Sequence, residues 1–268
     1  MKTLNELINI LWEDYSSMNQ QAKRIHELLK ARGENIINDH IAFRTYNFPK
    51  IGVDVLALPF KRFGYKAKGE YGFPDKKLYA RHYEHPDERN PRIFISELKV
   101  QECSKDLQKI VEGLAQQVTD KDVADDRFIV SGRLWSPISY KTYLKLKEES
   151  EYAAWMAVFG FRANHFTVLF NALKTFKDLQ EFNQVIKDSG YPLNSAGGEI
   201  KGTPQDLLEQ SSTLAHSVEV EFSESRETVP ACYYEFARRY PKADGKLFSG
   251  FISQSADKIF ESTDNKKS

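Results

Sequence analysis

Cysteine is nearly absent from this chain: Cys103 and Cys232 are the only two in 268 residues. That is too few for a disulfide framework and too widely spaced for a Cys-based zinc site, so a reducing, cytoplasmic setting is expected. Charge of one sign is also missing, since Lys plus Arg and Asp plus Glu each number 38. Nothing in that balance recruits nucleic acid or an anionic membrane surface, and a small-molecule or protein partner is expected instead. No apolar run approaches the roughly 20 residues that span a bilayer, and the amino terminus reads as a polar-interrupted helix rather than a leader. Export or anchoring is therefore not expected. Aromatic residues are plentiful, with 18 Phe and 13 Tyr. Without a basic excess they indicate a core, not a base-stacking platform.

The length suits one large domain with a substantial core, expected to span 1–268. Leu4, Leu7, Ile8, Leu11, Trp12 and Tyr15 recur at helical spacing, and Ala22, Ile25, Leu28 and Leu29 continue the pattern, so 2–31 reads as one or two amphipathic helices. After Gly33 the period changes to that of a strand from His40, stopping at Asn47 and Pro49. A helix over about 51–63 and strands near 65–71, 78–84 and 92–99 follow, making a β-α-β-β-β module over about 36–100. A helical connection is expected from about 103 to 160, with Leu107, Ile110, Val111 and Leu114 behind a Ser104 cap and a second helix over 140–159. A second module, about 161–240, opens on a strand at His165, continues into a helix over about 175–188, and closes with strands near 215–222 and 230–238. The remainder, 241–268, reads as a tail. The fold class is α+β.

The two modules overlay on each other. Each opens with a histidine on a strand ending in Asn, continues into a helix and turns at a Gly-Tyr pair. Gly64 lies 24 residues after His40, and Gly190 lies 25 after His165. Each module also closes with a glutamate among apolar neighbours, Glu97 in the first and Glu235 in the second. The longer second module is expected to hold its surplus in the Gly- and Ser-rich stretch 194–213.

Side chains alternate across a strand, so His40, Ala42 and Arg44 share one face and Ile41 and Phe43 the other; His165 and Thr167 likewise oppose Phe166 and Val168. If the modules pair around a pseudo-twofold axis, the two histidines meet, and a glutamate from either closing strand completes a two-imidazole, one-carboxylate metal site. That set with open positions is the one favoured by non-haem iron(II) oxygenases. Glu235, between Tyr234 and Phe236, needs a partner if buried and is the preferred ligand. Glu97 is left open as a fourth ligand, a support for a ligand histidine, or an ion-pair member. His82 and His85 have metal-like spacing, but Pro86, Asp87 and Asn90 mark a turn, which predicts a solvated hairpin end. His26 and His216 have no equivalents in the repeat and read as structural, and Gly197-Gly198 lacks the context of a phosphate loop.

A repeated β-α-β-β-β unit with these histidines and glutamates resembles the vicinal oxygen chelate superfamily, in which tandem modules form a curved sheet around a metal. Within it, His-Ile-Ala-Phe-Arg-Thr at 40–45, Arg-Ala-Asn-His-Phe-Thr at 162–167 and Tyr-Tyr-Glu-Phe-Ala-Arg-Arg at 233–239 resemble the 2-oxoadipate dioxygenase/decarboxylase (hydroxyglutarate synthase) family, over roughly residues 5–260. The resemblance implies metal ligands at His40, His165 and Glu235, Fe(II) as cofactor, and Arg44 as the catalytic, substrate-binding arginine. It implies an oxidoreductase that converts 2-oxoadipate, or a similar 2-oxo dicarboxylic acid, and dioxygen to 2-hydroxyglutarate and carbon dioxide, as in lysine catabolism. Arg44 lies about 13 Å along the strand from His40, and its long side chain can reach back to grip a distal carboxylate. Two alternatives stay open: a glyoxalase-type isomerase or lyase using Glu97 with Glu235, and a non-catalytic ligand-binding module of the same fold.

Overall fold

A computed structural model describes residues 2–260 of the chain. Two helices lead, α1 (Leu4–Met18) and α2 (Gln20–Ala31). Thr3 and Glu6 form a capping box on α1, and Asn19 ends α1 while capping α2. The first module then runs β1 (Asn38–Tyr46), the short helices α3 (Val53–Leu56) and α4 (Leu58–Arg62), β2 (Lys66–Phe73), β3 (Leu78–Glu84) and β4 (Arg92–Leu98). Helices α5 (Lys105–Ala115), α6 (Asp120–Ala124), α7 (Tyr140–Glu149) and α8 (Glu151–Phe159) connect it to the second module. The helix expected over 140–159 is broken at Ser150, which leaves the helical region and caps α8 with its hydroxyl.

The second module comprises β5 (Ala163–Leu169), α9 (Leu179–Asp188), β6 (Lys201–Thr203), β7 (Leu208–Ser212), β8 (His216–Glu221) and β9 (Arg226–Arg239). The stretch 194–213 is thus not surplus loop. It holds the β6–β7 hairpin, the counterpart of β2–β3, and both hairpins turn through a Pro-led 3₁₀ turn ending in a left-handed residue, Lys77 in one and Leu207 in the other. The surplus is β8, which among the described residues pairs only with β9. The segment expected as a tail contains α10 (Ser253–Phe260).

One mixed sheet takes the order β2-β3-β4-β1-β5-β9-β7-β6. The modules join along β1 and β5, which are antiparallel, while each first strand is parallel to its own closing strand, β1 to β4 and β5 to β9. The seam carries the pseudo-twofold: His40 faces Thr167, Ile41 faces Phe166 and Ala42 faces His165, so the two histidines occupy exchanged positions.

The convex face is sealed by helices. Phe43 meets Phe60 of α4, Phe236 meets Phe182 of α9, and Phe166 meets Trp12 and Tyr15 of α1. The concave side receives α8. Residues Tyr152 to Phe159 of α8 are all buried, as an apolar helix without a polar stripe must be. Tyr152 Oη donates to the Ser96 carbonyl and accepts from the Thr45 N–H, fixing α8 against β1 and β4. Among the described residues no helix is long and apolar enough to cross a membrane.

Candidate metal centre

Strand register assembles the centre. His40, Thr167 and Glu235 lie in one row across β1, β5 and β9, and Ala42, His165 and Tyr233 in the next. His40, His165 and Glu235 are all buried, and their ligand atoms lie within 4.8 Å of one another. The two Nε2 atoms are 3.3 Å apart, with Glu235 Oε1 3.5 Å from that of His40 and Oε2 3.2 Å from that of His165.

The back of each ring fixes which nitrogen carries the proton. His40 Nδ1 lies 2.8 Å from Asp39 Oδ2 and His165 Nδ1 lies 3.0 Å from Asn164 Oδ1, so each Nδ1–H donates to the residue just before it. Both Nε2 lone pairs then point inward, toward each other and toward a carboxylate. Three electron-pair donors converging in a dry site repel unless a cation lies among them, and this donor set fits a divalent metal. Glu235 Oε2 has no hydrogen-bond donor among the described residues, as an oxygen reserved for a metal requires.

Electrostatics follow from burial. Desolvation, then His40 and Arg44, pushes the His165 pKa well below the usual histidine value, so the ring is neutral and ready to ligate. Burial raises the Glu235 pKa, opposed by His40 and by the Gln210 amide, which donates to Oε1 at 2.6 Å. Burial would also raise that of Asp39, but Arg239, the His40 hydrogen bond and Arg92 together hold it far below the carboxylate range.

Over the triad lies a cavity of about 20 Å³, room for about one water molecule. Phe94, Gln210 and Tyr233 line it from the sheet, and Phe251, Ala256 and Ile259 close it from the carboxy-terminal segment. Phe251 stands edge-on to His40, with ring centroids 4.8 Å apart.

The other expected residues fall elsewhere. Glu97 lies opposite Thr45 and therefore faces the convex side, where Oε2 accepts the Val53 N–H at the start of α3 at 2.8 Å. Its position does not match that of Glu235: Glu235 pairs with the residue two after His165, and the residue so placed relative to His40 is Phe94. A two-His, two-Glu site is thereby excluded. His82 is not solvated; it is buried in β3 between Tyr71 Oη at 2.8 Å and Glu84 Oε1 at 3.0 Å. His85 does sit in the turn, accepting from the Asp87 N–H. His26 packs at a tilt against Trp12 and His216 begins β8.

Arg44 is buried one row beyond His165. Its guanidinium packs over Tyr152 and Trp155, and Nη1 lies 3.2 and 3.3 Å from the two Glu151 oxygens. It is not among the residues that line the cavity. Sequence reasoning missed Asp39, Asn164, Gln210 and Arg239. A signal existed for three of them: each ligand histidine is preceded by a short polar acceptor, and Arg239 follows Glu235 by four residues as Arg44 follows His40.

Comparisons with known proteins agree with this geometry. A family model described as 2-oxoadipate dioxygenase/decarboxylase matches residues 2–246. The chloroplastic/amyloplastic 2-oxoadipate dioxygenase/decarboxylase of Oryza sativa is 37% identical over 94% of this chain and 76% of its own length. The crystal structure of hydroxyglutarate synthase from Oryza sativa in complex with 2-oxoadipate superposes with a TM-score of 0.92 at 36% identity, covering 98% of this chain and 92% of that one. A Shewanella frigidimarina protein named as a candidate hydrolase gives 0.90 at 49% identity, over 94% and 99% of the two chains. A Ralstonia eutropha structure named as a candidate glyoxalase superfamily protein shares the fold, with a TM-score of 0.73 at 20% identity over 91% and 84%.

Proposed function

The chain belongs to the 2-oxoadipate dioxygenase/decarboxylase family, and from that premise we propose that it converts 2-oxoadipate and dioxygen to 2-hydroxyglutarate and carbon dioxide, using iron(II) held by His40, His165 and Glu235. The observation that carries this reading is the convergence of two imidazole lone pairs and one carboxylate in a buried pocket, with both rings fixed from behind. Two histidines and one carboxylate leave positions open, the pattern of non-haem iron oxygenases rather than of closed structural sites. Bound there, the ion would supply Lewis acidity and the electrons that activate dioxygen.

The chain's own residues supply positioning and dryness. Asp39 and Asn164 hold the ligand rings, and Gln210 holds the ligand carboxylate. Phe94, Phe251, Ala256 and Ile259 exclude water from the reacting centre, and because the cavity has room for only about one water molecule, the side that Phe251, Ala256 and Ile259 close has to shift to admit the acid. Arg44 is the substrate arginine of this reading: a planar, permanently charged fork suited to the distal carboxylate of a dicarboxylic acid, which would exchange for Glu151. The two buried free thiols suit a reducing compartment.

The test is to load the protein anaerobically with iron(II), add 2-oxoadipate, admit air and follow oxygen uptake, carbon dioxide and 2-hydroxyglutarate. Stoichiometric consumption and release are expected. A metal-loaded protein that neither takes up oxygen nor decarboxylates this acid overturns the reading.

A further inference from the structure

Tyr233 is fully buried, yet its phenolic oxygen has no hydrogen-bond partner among the described residues. A buried hydroxyl without a partner is costly, and in a well-packed protein it marks a place that something else fills. Tyr233 is on β9 two residues before Glu235, on the same face, and lies beside His165 in the register. Its ring stacks on that of His165, centroids 4.6 Å apart and planes inclined by 26°, and it lines the cavity over the triad. In the register its row, Ala42, His165 and Tyr233, lies between the row of His40, Thr167 and Glu235 and the position of Arg44, two residues beyond Ala42. A ligand that spans those rows passes the Tyr233 side chain.

We infer that Tyr233 is a substrate-binding residue whose hydroxyl donates a hydrogen bond to the carboxylate at the 2-oxo end of the acid bound at the metal centre. This inference rests on the function proposed above. The 2-oxo end is assigned because Tyr233 packs on a metal ligand and lines the cavity, whereas Arg44 does not line it. The chemistry matches: a phenol is protonated at neutral pH and donates, and a 2-oxo dicarboxylate offers only acceptors. Gln210 has the opposite character. One of its amide hydrogens goes to Glu235 and its buried carbonyl oxygen can only accept, so its bond to Glu235 positions the ligand carboxylate.

Tyr233→Phe removes one oxygen and keeps the stacked ring, so the variant should fold, hold metal in the same ratio and melt no lower than the parent. Calorimetric titration of both metal-loaded proteins without oxygen should show 2-oxoadipate binding weakened roughly ten- to a hundredfold in the variant, the scale of a lost hydrogen bond to a charged group. The same loss should appear with 2-oxohexanoate, which lacks the distal carboxylate. Equal binding of 2-oxoadipate by the two proteins overturns the inference while leaving the proposed function intact. A loss confined to the dicarboxylic acid overturns the assignment to the 2-oxo end. If the parent protein itself binds no 2-oxoadipate, the proposed function falls and this inference with it.

Discussion

Arg239 closes on Asp39 with two nitrogens, Nε to Oδ1 at 2.6 Å and Nη2 to Oδ2 at 2.8 Å, and both side chains are fully shielded from solvent. Asp39 turns that pairing into a constraint on the metal centre, because the same carboxylate receives His40 Nδ1. Arg239 Nη1 also donates to the carbonyls of Phe248 and Gly250, at 2.9 and 2.8 Å, and its guanidinium lies over the Phe251 ring. One arginine therefore holds both a ligand histidine from behind and the segment that covers the site.

Asp39→Asn keeps the shape but removes the charge that orients His40 and balances Arg239. Metal affinity should fall by about ten- to a hundredfold, as for other carboxylate supports of ligand histidines. Folding stability should fall by about 3–5 kcal/mol, the cost of leaving a buried arginine without its partner. Competition titration with a chelator and urea unfolding measure the two effects. Unchanged affinity would remove Asp39 from the metal site.

The same residue sets an acid dependence. The folded Asp39 pKa lies far below the unfolded value of 3.8, so its contribution is present above about pH 4 and is lost as the pH falls toward the folded value. Stability of the metal-free protein below pH 4 should therefore decline less steeply in Asp39→Asn than in the parent. Parallel slopes in acid titrations of the two would show that Asp39 is not the group responsible.

Glu235 has the opposite sign. Its folded pKa is raised by burial, so in the metal-free protein its favourable contribution exists below the unfolded carboxylate value and is lost as the pH rises through the folded one. At neutral pH Glu235→Gln should raise the melting temperature of the metal-free protein while abolishing tight metal binding. His165→Ala should also lose the metal. A metal-free Glu235→Gln protein that melts below the parent would contradict this account.

Much of the centre was legible in the sequence because the repeat survives in it: matched offsets from His40 and His165 to their Gly-Tyr turns place two histidines equivalently. Glu97 misled because burial pattern alone does not reveal register. A shift of one residue moves a side chain to the other face, and the pairing of Glu97 with Thr45 puts it on the convex one. The hairpin β6–β7 was hidden by strands of only three and five residues in a Gly- and Ser-rich stretch. The shared turns after Pro74 and Pro204 were the available clue. His82 was assigned to the turn that begins a few residues later. The closing role of Phe251 and α10 comes from docking across the sheet, which no local pattern encodes.

Because Glu97 only receives the Val53 N–H, Glu97→Ala should leave metal affinity unchanged and cost about 1 kcal/mol, the scale of a lost helix cap. Chelator competition on this variant distinguishes the three-ligand centre from a four-ligand one. A clear loss of metal would return Glu97 to the site.

Arg44 and Glu151 give the sharpest test of how a dicarboxylic acid is held. A buried guanidinium needs an anion, and here Glu151, at the amino-terminal end of α8 where negative charge is favoured, provides it through Nη1. If the distal carboxylate of the substrate takes that place, Glu151 competes with it. Glu151→Gln should then lower KM for 2-oxoadipate severalfold while costing about 2 kcal/mol of stability, the value of a charge-assisted hydrogen bond. Arg44→Ala should retain the metal, since Arg44 is not among the three converging ligands, but should raise KM sharply for 2-oxoadipate and little for 2-oxohexanoate. The two variants move KM in opposite directions only if the arginine exchanges one carboxylate for another. A rise in KM for Glu151→Gln would show instead that Glu151 positions Arg44 for the substrate and stays in place when it binds.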